Sequence, residues 1–192
     1  MNILVQALSA ANSKFIMINR FLLILAIAFF PIITFAQNRV EVKDPEIKFS
    51  YILPEGWKVN DDGYDYKIES KDSNNAYISI TYVEKATGNK KFDSVVESQS
   101  FKDDFQFELD YNLPDEMKNF QLEETGNSTI DGAPALWAKF SHGEKQDQTG
   151  VFYMFQKLNQ SFKILGSSPA SASEKVKPIF SGIIQSFKAE KQ

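Results

Sequence analysis

The stretch Phe21 to Ala36, FLLILAIAFFPIITFA, divides this chain into a leader and a remainder that has to build its own core. It follows Arg20, has an apolar centre, and carries small residues at Thr34 and Ala36, three and one positions before Gln37. That is the layout of a secretory signal peptide, residues 1–36, cut between Ala36 and Gln37. The competing reading is a membrane anchor, which needs about 20 consecutive apolar residues to cross the hydrocarbon core. The run here is shorter and contains Pro31, so length and flanks favour cleavage and no stable anchor afterwards. Lys14 and Arg20 are the only charges before Gln37, and either Met1 or the internal Met17 can be the start. Intact mass of the secreted protein tests this, because a species beginning at Met1 or Met17 excludes the cut.

Beyond the cut the balance is acidic. Of 21 basic and 25 acidic side chains, only Lys14 and Arg20 precede Gln37, which leaves a net charge of about −6. That argues against a nucleic-acid binder, whose affinity rests on cations that neutralise phosphates. Lys85, Lys90 and Lys91 form a short cluster beside a glycine and read as a solvated turn. The chain has no cysteine, so disulfides, thiolate metal sites and cysteine nucleophiles are all excluded. There is also no cysteine at the cut to carry a lipid. About 156 residues follow, enough for one domain held by its core alone.

Short alternating segments dominate the first half of that domain. Ile47, Phe49, Tyr51 and Leu53 alternate with Lys48, Ser50 and Ile52, giving a strand with one apolar face. Pro54-Glu55-Gly56 stops it, proline by its fixed φ and glycine by its freedom to take positive φ. Tyr64, Tyr66 and Ile68 alternate with charged neighbours in a second strand, and 76–83 form a third, with 70–75 as the hairpin between them. A second series is expected over 120–125, 128–130, 135–141, 150–158 and 161–165, with tight turns at Asp131-Gly132 and Asn159-Gln160.

Two helices are expected. Residues 92–109 have helical composition but a broken phase: Phe92, Val95 and Val96 point one way, Phe101, Phe105 and Leu109 nearly the other. The helix is either covered on two sides or breaks near Ser98 to Ser100, and Asn112-Leu113-Pro114 should end it, because the residue before proline avoids the α region. The final helix has one continuous stripe of Val176, Ile179, Phe180, Ile183, Ile184 and Phe187. Ser171 or Ser173 can cap its start, Pro178 lies in or near the first turn, and Lys188 and Lys191 suit the dipole at its end.

This order predicts an α+β fold: a largely antiparallel sheet of six to seven strands with the C-terminal helix packed on it. Three segments then carry a resemblance. Phe49-Ser50-Tyr51-Ile52-Leu53-Pro54-Glu55-Gly56-Trp57 resembles the opening strand and P-x-G-W turn of the PsbP-like superfamily, whose relatives include bacterial DcrB proteins and the Ran-binding Mog proteins. Ile130-Asp131-Gly132-Ala133-Pro134-Ala135 is similar to its G-x-P-A/G turn, and 178–187 to its closing helix. The resemblance spans about 47–188, leaving 37–46 as an N-terminal extension and 189–192 as a tail. It implies an α/β/α sandwich and a small non-enzymatic accessory or binding protein, with no catalytic residues to transfer. Trp57 is expected as a core aromatic against the last helix.

Candidate sites are few. Ser141, His142 and Glu144 could be written as a triad, but neighbours at a strand end point apart and cannot converge. His142→Ala should therefore leave any activity unchanged. Asp61-Asp62-Gly63-Tyr64-Asp65 suggests calcium but lacks the alternating ligands and distal glutamate of an EF-hand loop, and turn chemistry explains it. The pairs Asp103-Asp104 and Glu123-Glu124 fall on solvent-facing positions. No catalytic, cofactor-binding or metal-ligating set is expected. Phe101, Phe105, Phe107 and Leu109 are the candidates for a hydrophobic binding face, because their phase conflicts with the start of their helix. The expectation is an exported monomeric binding or accessory protein, periplasmic or extracellular, whose partner, an envelope protein or an apolar ligand, the sequence does not identify. The alternative is a carrier of a lipid or other apolar ligand held between sheet and helix, and the third reading is a hydrolase.

Overall fold

The structure is a computed structural model that describes residues 38–45, 47–61, 66–72, 75–83 and 98–191. The signal segment with its Ala36–Gln37 cut, the Asp62 to Asp65 part of the acidic turn, the Lys85, Lys90 and Lys91 cluster, and the helical segment from Phe92 to Glu97 lie outside the described residues.

Five strands open the domain: β1 (Asn38–Lys43), β2 (Lys48–Leu53), β3 (Trp57–Asp61), β4 (Tyr66–Ser70) and β5 (Tyr77–Val83). A helical segment follows, made of α1 (Gln99–Phe107), a π turn (Glu108–Asn112) and α2 (Leu113–Glu116). Four long strands come next, β6 (Gln121–Ile130), β7 (Ala133–His142), β8 (Gln148–Lys157) and β9 (Gln160–Pro169), then α3 (Ser173–Ser186) and the short β10 (Lys188–Ala189). The main sheet has seven antiparallel strands in the order β3-β4-β5-β9-β8-β7-β6. A separate sheet, β1-β2-β10, has three.

Alternation along the long strands divides the core in two. Ala133 and Ala135 of β7 face one side of the sheet with Phe155, Phe162 and Ile164, where α3 and β2 cover them. Leu136, Ala138 and Phe140 face the other side with Phe152 and Met154, where α1 and α2 cover them. These are the three layers of an α/β/α sandwich. Trp57 is buried in the first core, edge-on to Phe180 of α3 at 6.0 Å between ring centroids.

Several sequence expectations are corrected in detail. Residues 38–43 are a strand rather than an extension, and β10 with Glu190 N–H donating to Lys48 C=O ties in the start of the tail. The strand carrying Phe49 and Tyr51 belongs to the small sheet, because the turn after it redirects the chain. Trp57 N–H donates to Pro54 C=O at 3.2 Å, and Gly56 sits at φ +78°, the conformation a type II turn demands of its third residue. Residues 121–130 make one strand with a bulge between Leu122 and Glu124, not two. The second tight turn falls on Leu158-Asn159, both at positive φ, one residue earlier than expected.

The helices depart from expectation at their ends. Ser98 is extended and its Oγ accepts Phe101 N–H at 3.2 Å, so α1 begins where the phase break was expected. Pro114 does not end the segment: Asn112 and Leu113 stay helical, and Pro114 falls in the first turn of α2, where a proline is tolerated. In α3 no serine caps the start; a 3₁₀ turn, Ala170–Ala172, leads in. Pro178 lies inside the helix, where it cannot donate to the Glu174 carbonyl. Arg39, not Lys188 or Lys191, supplies the cation at the C-terminus, both its terminal nitrogens donating to Ser186 C=O at 3.3 Å.

Candidate functional site

Two surfaces stand out, one on each face of the main sheet. The first is the outward side of α1 and the π turn. A helix that turns Phe101, Phe105 and Leu109 to the sheet leaves positions 103, 107, 110 and 111 to solvent. Phe101, Phe105 and Leu109 are 1%, 6% and 3% exposed, so three of the four residues expected on a binding face are core instead. Phe105 stacks on Phe152 of β8 at 5.8 Å. Their phase conflict disappears because the described helix starts at Gln99 and its stripe needs to match only itself. Phe107 alone is exposed, at 53%, and it packs against Tyr111, which is 58% exposed, with ring centroids 4.9 Å apart.

Acids surround that pair. Asp103, Asp104, Asp110 and Asp115 are all exposed on the same segment, and among the described residues none of them forms a salt bridge. The inward face is held differently. Glu108 is buried and binds Lys163 of β9 at 2.7 Å while accepting Asn112 Nδ2–H at 2.9 Å. This pairing anchors the π turn to the sheet and fixes where Phe107 and Tyr111 emerge.

The second surface is a cleft of about 410 Å³ between α3 and the strands β6, β7 and β8. It exists because α3 crosses the centre of the sheet and leaves its β6 side uncovered. Trp137 and Tyr153 are paired residues of β7 and β8 and line the cleft together. Trp137 also faces Gly126 of β6, and a Cβ there would lie 2.8 Å from the indole Nε1. The indole therefore lies against bare backbone, its N–H donating to Asn127 C=O at 3.3 Å. Lys139 and Glu124 stand on the strand side of the cleft, Glu174 and Lys177 on the helix side. Lys139 bonds Glu123 at 2.7 Å, and that bond, more than the nearby Glu124 and Glu174, raises its pKa. Val151, Phe180 and Ile184 supply apolar wall.

Sequence reasoning did not single out Trp137, Tyr153 or Gly126. The signal was present, since period-two alternation already puts Trp137 and Lys139 on one face of β7. What it lacked was the cross-strand register, which joins β6, β7 and β8 at these residues.

The other sequence candidates separate. His142 ends β7, and its Nε2 lies 2.9 Å from the buried Ser167 Oγ of β9, not against Ser141 or Glu144. Glu144 instead pairs with Lys118 at 3.1 Å. Burial pushes the His142 imidazole below its ordinary value, and Asp147 opposes that. The partner Ser167 lies 25 residues away, which no local pattern reveals. Glu123 and Glu124 are exposed, as expected, and Glu123 pairs with Lys139. Among the described residues no group of three His, Cys, Asp or Glu is placed to hold a metal ion. No helix among them is long and apolar enough to cross a membrane.

No protein-family model matches this chain, and no curated protein matches it. Solved structures do. CyanoP, the cyanobacterial PsbP of Synechocystis, matches with a TM-score of 0.59 at 13% identity, over 82% of this chain and 95% of its own. LpqN of Mycobacterium tuberculosis, involved in cell envelope biogenesis, matches with a TM-score of 0.51 at 12% identity, over 80% and 91%. The Ran-binding protein Mog1p of Saccharomyces cerevisiae is a looser match, 0.47 at 11% identity over 81% and 97%. The chain has the PsbP-like fold, and at these identities the likeness is one of fold.

Proposed function

We propose that this protein is an exported, non-enzymatic binding or accessory domain that acts through the outward face of α1 and the π turn. The observation that carries it is the exposed Phe107–Tyr111 pair. Two large aromatics more than half exposed and tilted against each other in water give up burial worth about 1.5–3 kcal/mol for a fully buried side chain. A partner recovers it. The four flanking aspartates choose that partner by charge, favouring a surface with Lys or Arg around an apolar centre. Export is supported by the signal-like segment 21–36.

The test is capture from envelope extract by the purified protein and by a Phe107→Ser, Tyr111→Ser variant of unchanged stability. A partner held by the parent and lost by the variant is expected. Identical captured sets would overturn the assignment to this face. A second reading, a small-ligand carrier, is favoured by the cleft under α3 and by its Val151, Phe180 and Ile184 wall. Lipid that co-purifies with the protein and is displaced by changes at these residues would select it.

A further inference from the structure

We infer that the cleft under α3 is a saccharide-binding site, with Trp137 and Tyr153 as the platform on which a sugar ring stacks. The inference takes from the carrier reading only that the cleft holds a small molecule, and it is independent of the helix face. Three observations converge on a sugar rather than an alkyl chain or an anion.

The first is the platform. Trp137 and Tyr153 are directly paired across β7 and β8, so their side chains rise from the same face of the sheet side by side. Trp137 is preset, laid against Gly126 and held by its N–H bond to Asn127 C=O at 3.3 Å. The face of an aromatic ring carries negative charge density, which suits the C–H face of a pyranose and offers nothing to an anion.

The second is the rim. Glu124 and Lys139 on the strands face Glu174 and Lys177 on the helix, so acceptors and donors of both signs surround the aromatic floor. An alkyl chain would strip water from these charges and return no hydrogen bond, which is costly. Sugar hydroxyls both donate and accept, and so replace that water group for group. Thr149 on the strand side and Ser173 and Ser181 on the helix side add neutral hydroxyls.

The third is size. At about 410 Å³ the cleft lies within the range of small-ligand sites, and its β6 side is the edge of the main sheet, so a chain of sugars has an exit there.

The test is titration of the purified protein with cellotriose, maltotriose and the trimer of N-acetylglucosamine, followed by calorimetry and tryptophan fluorescence, with laurate as the apolar comparison. Saturable binding of at least one trisaccharide is expected, weakened at least tenfold by Trp137→Ala. Gly126→Ala, which pushes the indole off its seat, should weaken the same titration several-fold while the thermal midpoint stays near that of the parent. No saturable binding of any of the three sugars would overturn the inference. So would sugar binding that survives Trp137→Ala, or laurate binding that Lys139→Ala and Lys177→Ala strengthen. Laurate binding without sugar binding leaves the carrier reading standing and removes this one.

Discussion

Asp131 shows how much a single turn residue can do here. It opens the β6–β7 turn at φ +49°, a left-handed conformation that Asp and Asn tolerate better than most residues. Its carboxylate binds Lys157 Nζ at 2.8 Å and Lys188 Nζ at 2.7 Å and accepts the Ala189 N–H at 3.1 Å. Burial by itself would raise its pKa, but the two lysines and the backbone N–H together outweigh burial and hold it below the usual 3.8. A carboxylate depressed in the folded state adds stability that is present above its unfolded pKa and is lost as pH falls through the folded value. Asp131→Asn keeps the backbone conformation and removes the charge, so it should cost about 1–3 kcal/mol at pH 7. The deficit should start to shrink below about pH 4, where the carboxylate of the unfolded chain protonates, and disappear once pH falls below the depressed folded value. Urea melts at the two pH values check this, and an equal deficit at both would refute the charge argument. The Asp131-Gly132 turn is legible in the sequence. Its grip on Lys188 is not, because that partner is 57 residues away and reaches it only once α3 has folded back.

The helices show what periodicity can and cannot decide at the level of the element. In α3 a continuous stripe leaves one choice of face, and Val176, Phe180, Ile183 and Ile184 are all buried on it. Ile184→Ala should cost about 2–5 kcal/mol, as truncations in a packed core do. A loss below half of a kcal/mol would mean that the helix is not packed on the sheet. In α1 the stripe is short, and sequence alone could not tell a buried phenylalanine from an exposed one. Phe105→Ala should cost about 3–5 kcal/mol, whereas Phe107→Ala should stay within about 0.5 kcal/mol. Chemical denaturation of both variants makes the comparison, and similar losses would place Phe107 in the core. Pro114 was misleading for a physical reason: the extended preference of the residue before a proline is a bias that packing can override, Leu113 stays in the right-handed helical region, and Pro114 falls in the first turn of α2, where a proline is tolerated.

Across the whole molecule, the small sheet packs on the large one through Phe49 and Tyr51 in the shared core, and a few polar side chains at the hairpin ends fasten it further. Gln160, buried at the β8–β9 turn, accepts Lys48 N–H at 2.5 Å and donates to Glu190 C=O at 2.8 Å. Asp131 grips β10 from the neighbouring hairpin. Ser186 accepts Ile52 N–H at 3.0 Å, which joins the end of α3 to β2. The domain therefore closes at both ends on β2, with β1 on one edge and β10 on the other. A protein that begins at Ile47 should melt at a lower temperature than one that begins at Gln37, and should aggregate more readily, because the bare edge of β2 is left unpaired. Equal melting temperatures would show that β1 is dispensable.

What the sequence determined by itself is whatever depends on residues a few positions apart. Alternation marked most of the strands, a three- and four-residue stripe marked α3, and Gly56 and Gly132 marked turns that need positive φ. The short motifs around Trp57, Asp131 and Pro178 were enough to indicate the PsbP-like fold. Tertiary structure alone decided the division into two sheets, the partners of Asp131, His142 and Arg39, and the meeting of Gly126, Trp137 and Tyr153. Each of these depends on strand register and on which surfaces close over one another. Those are settled by burial summed over the whole domain, and no local window contains it.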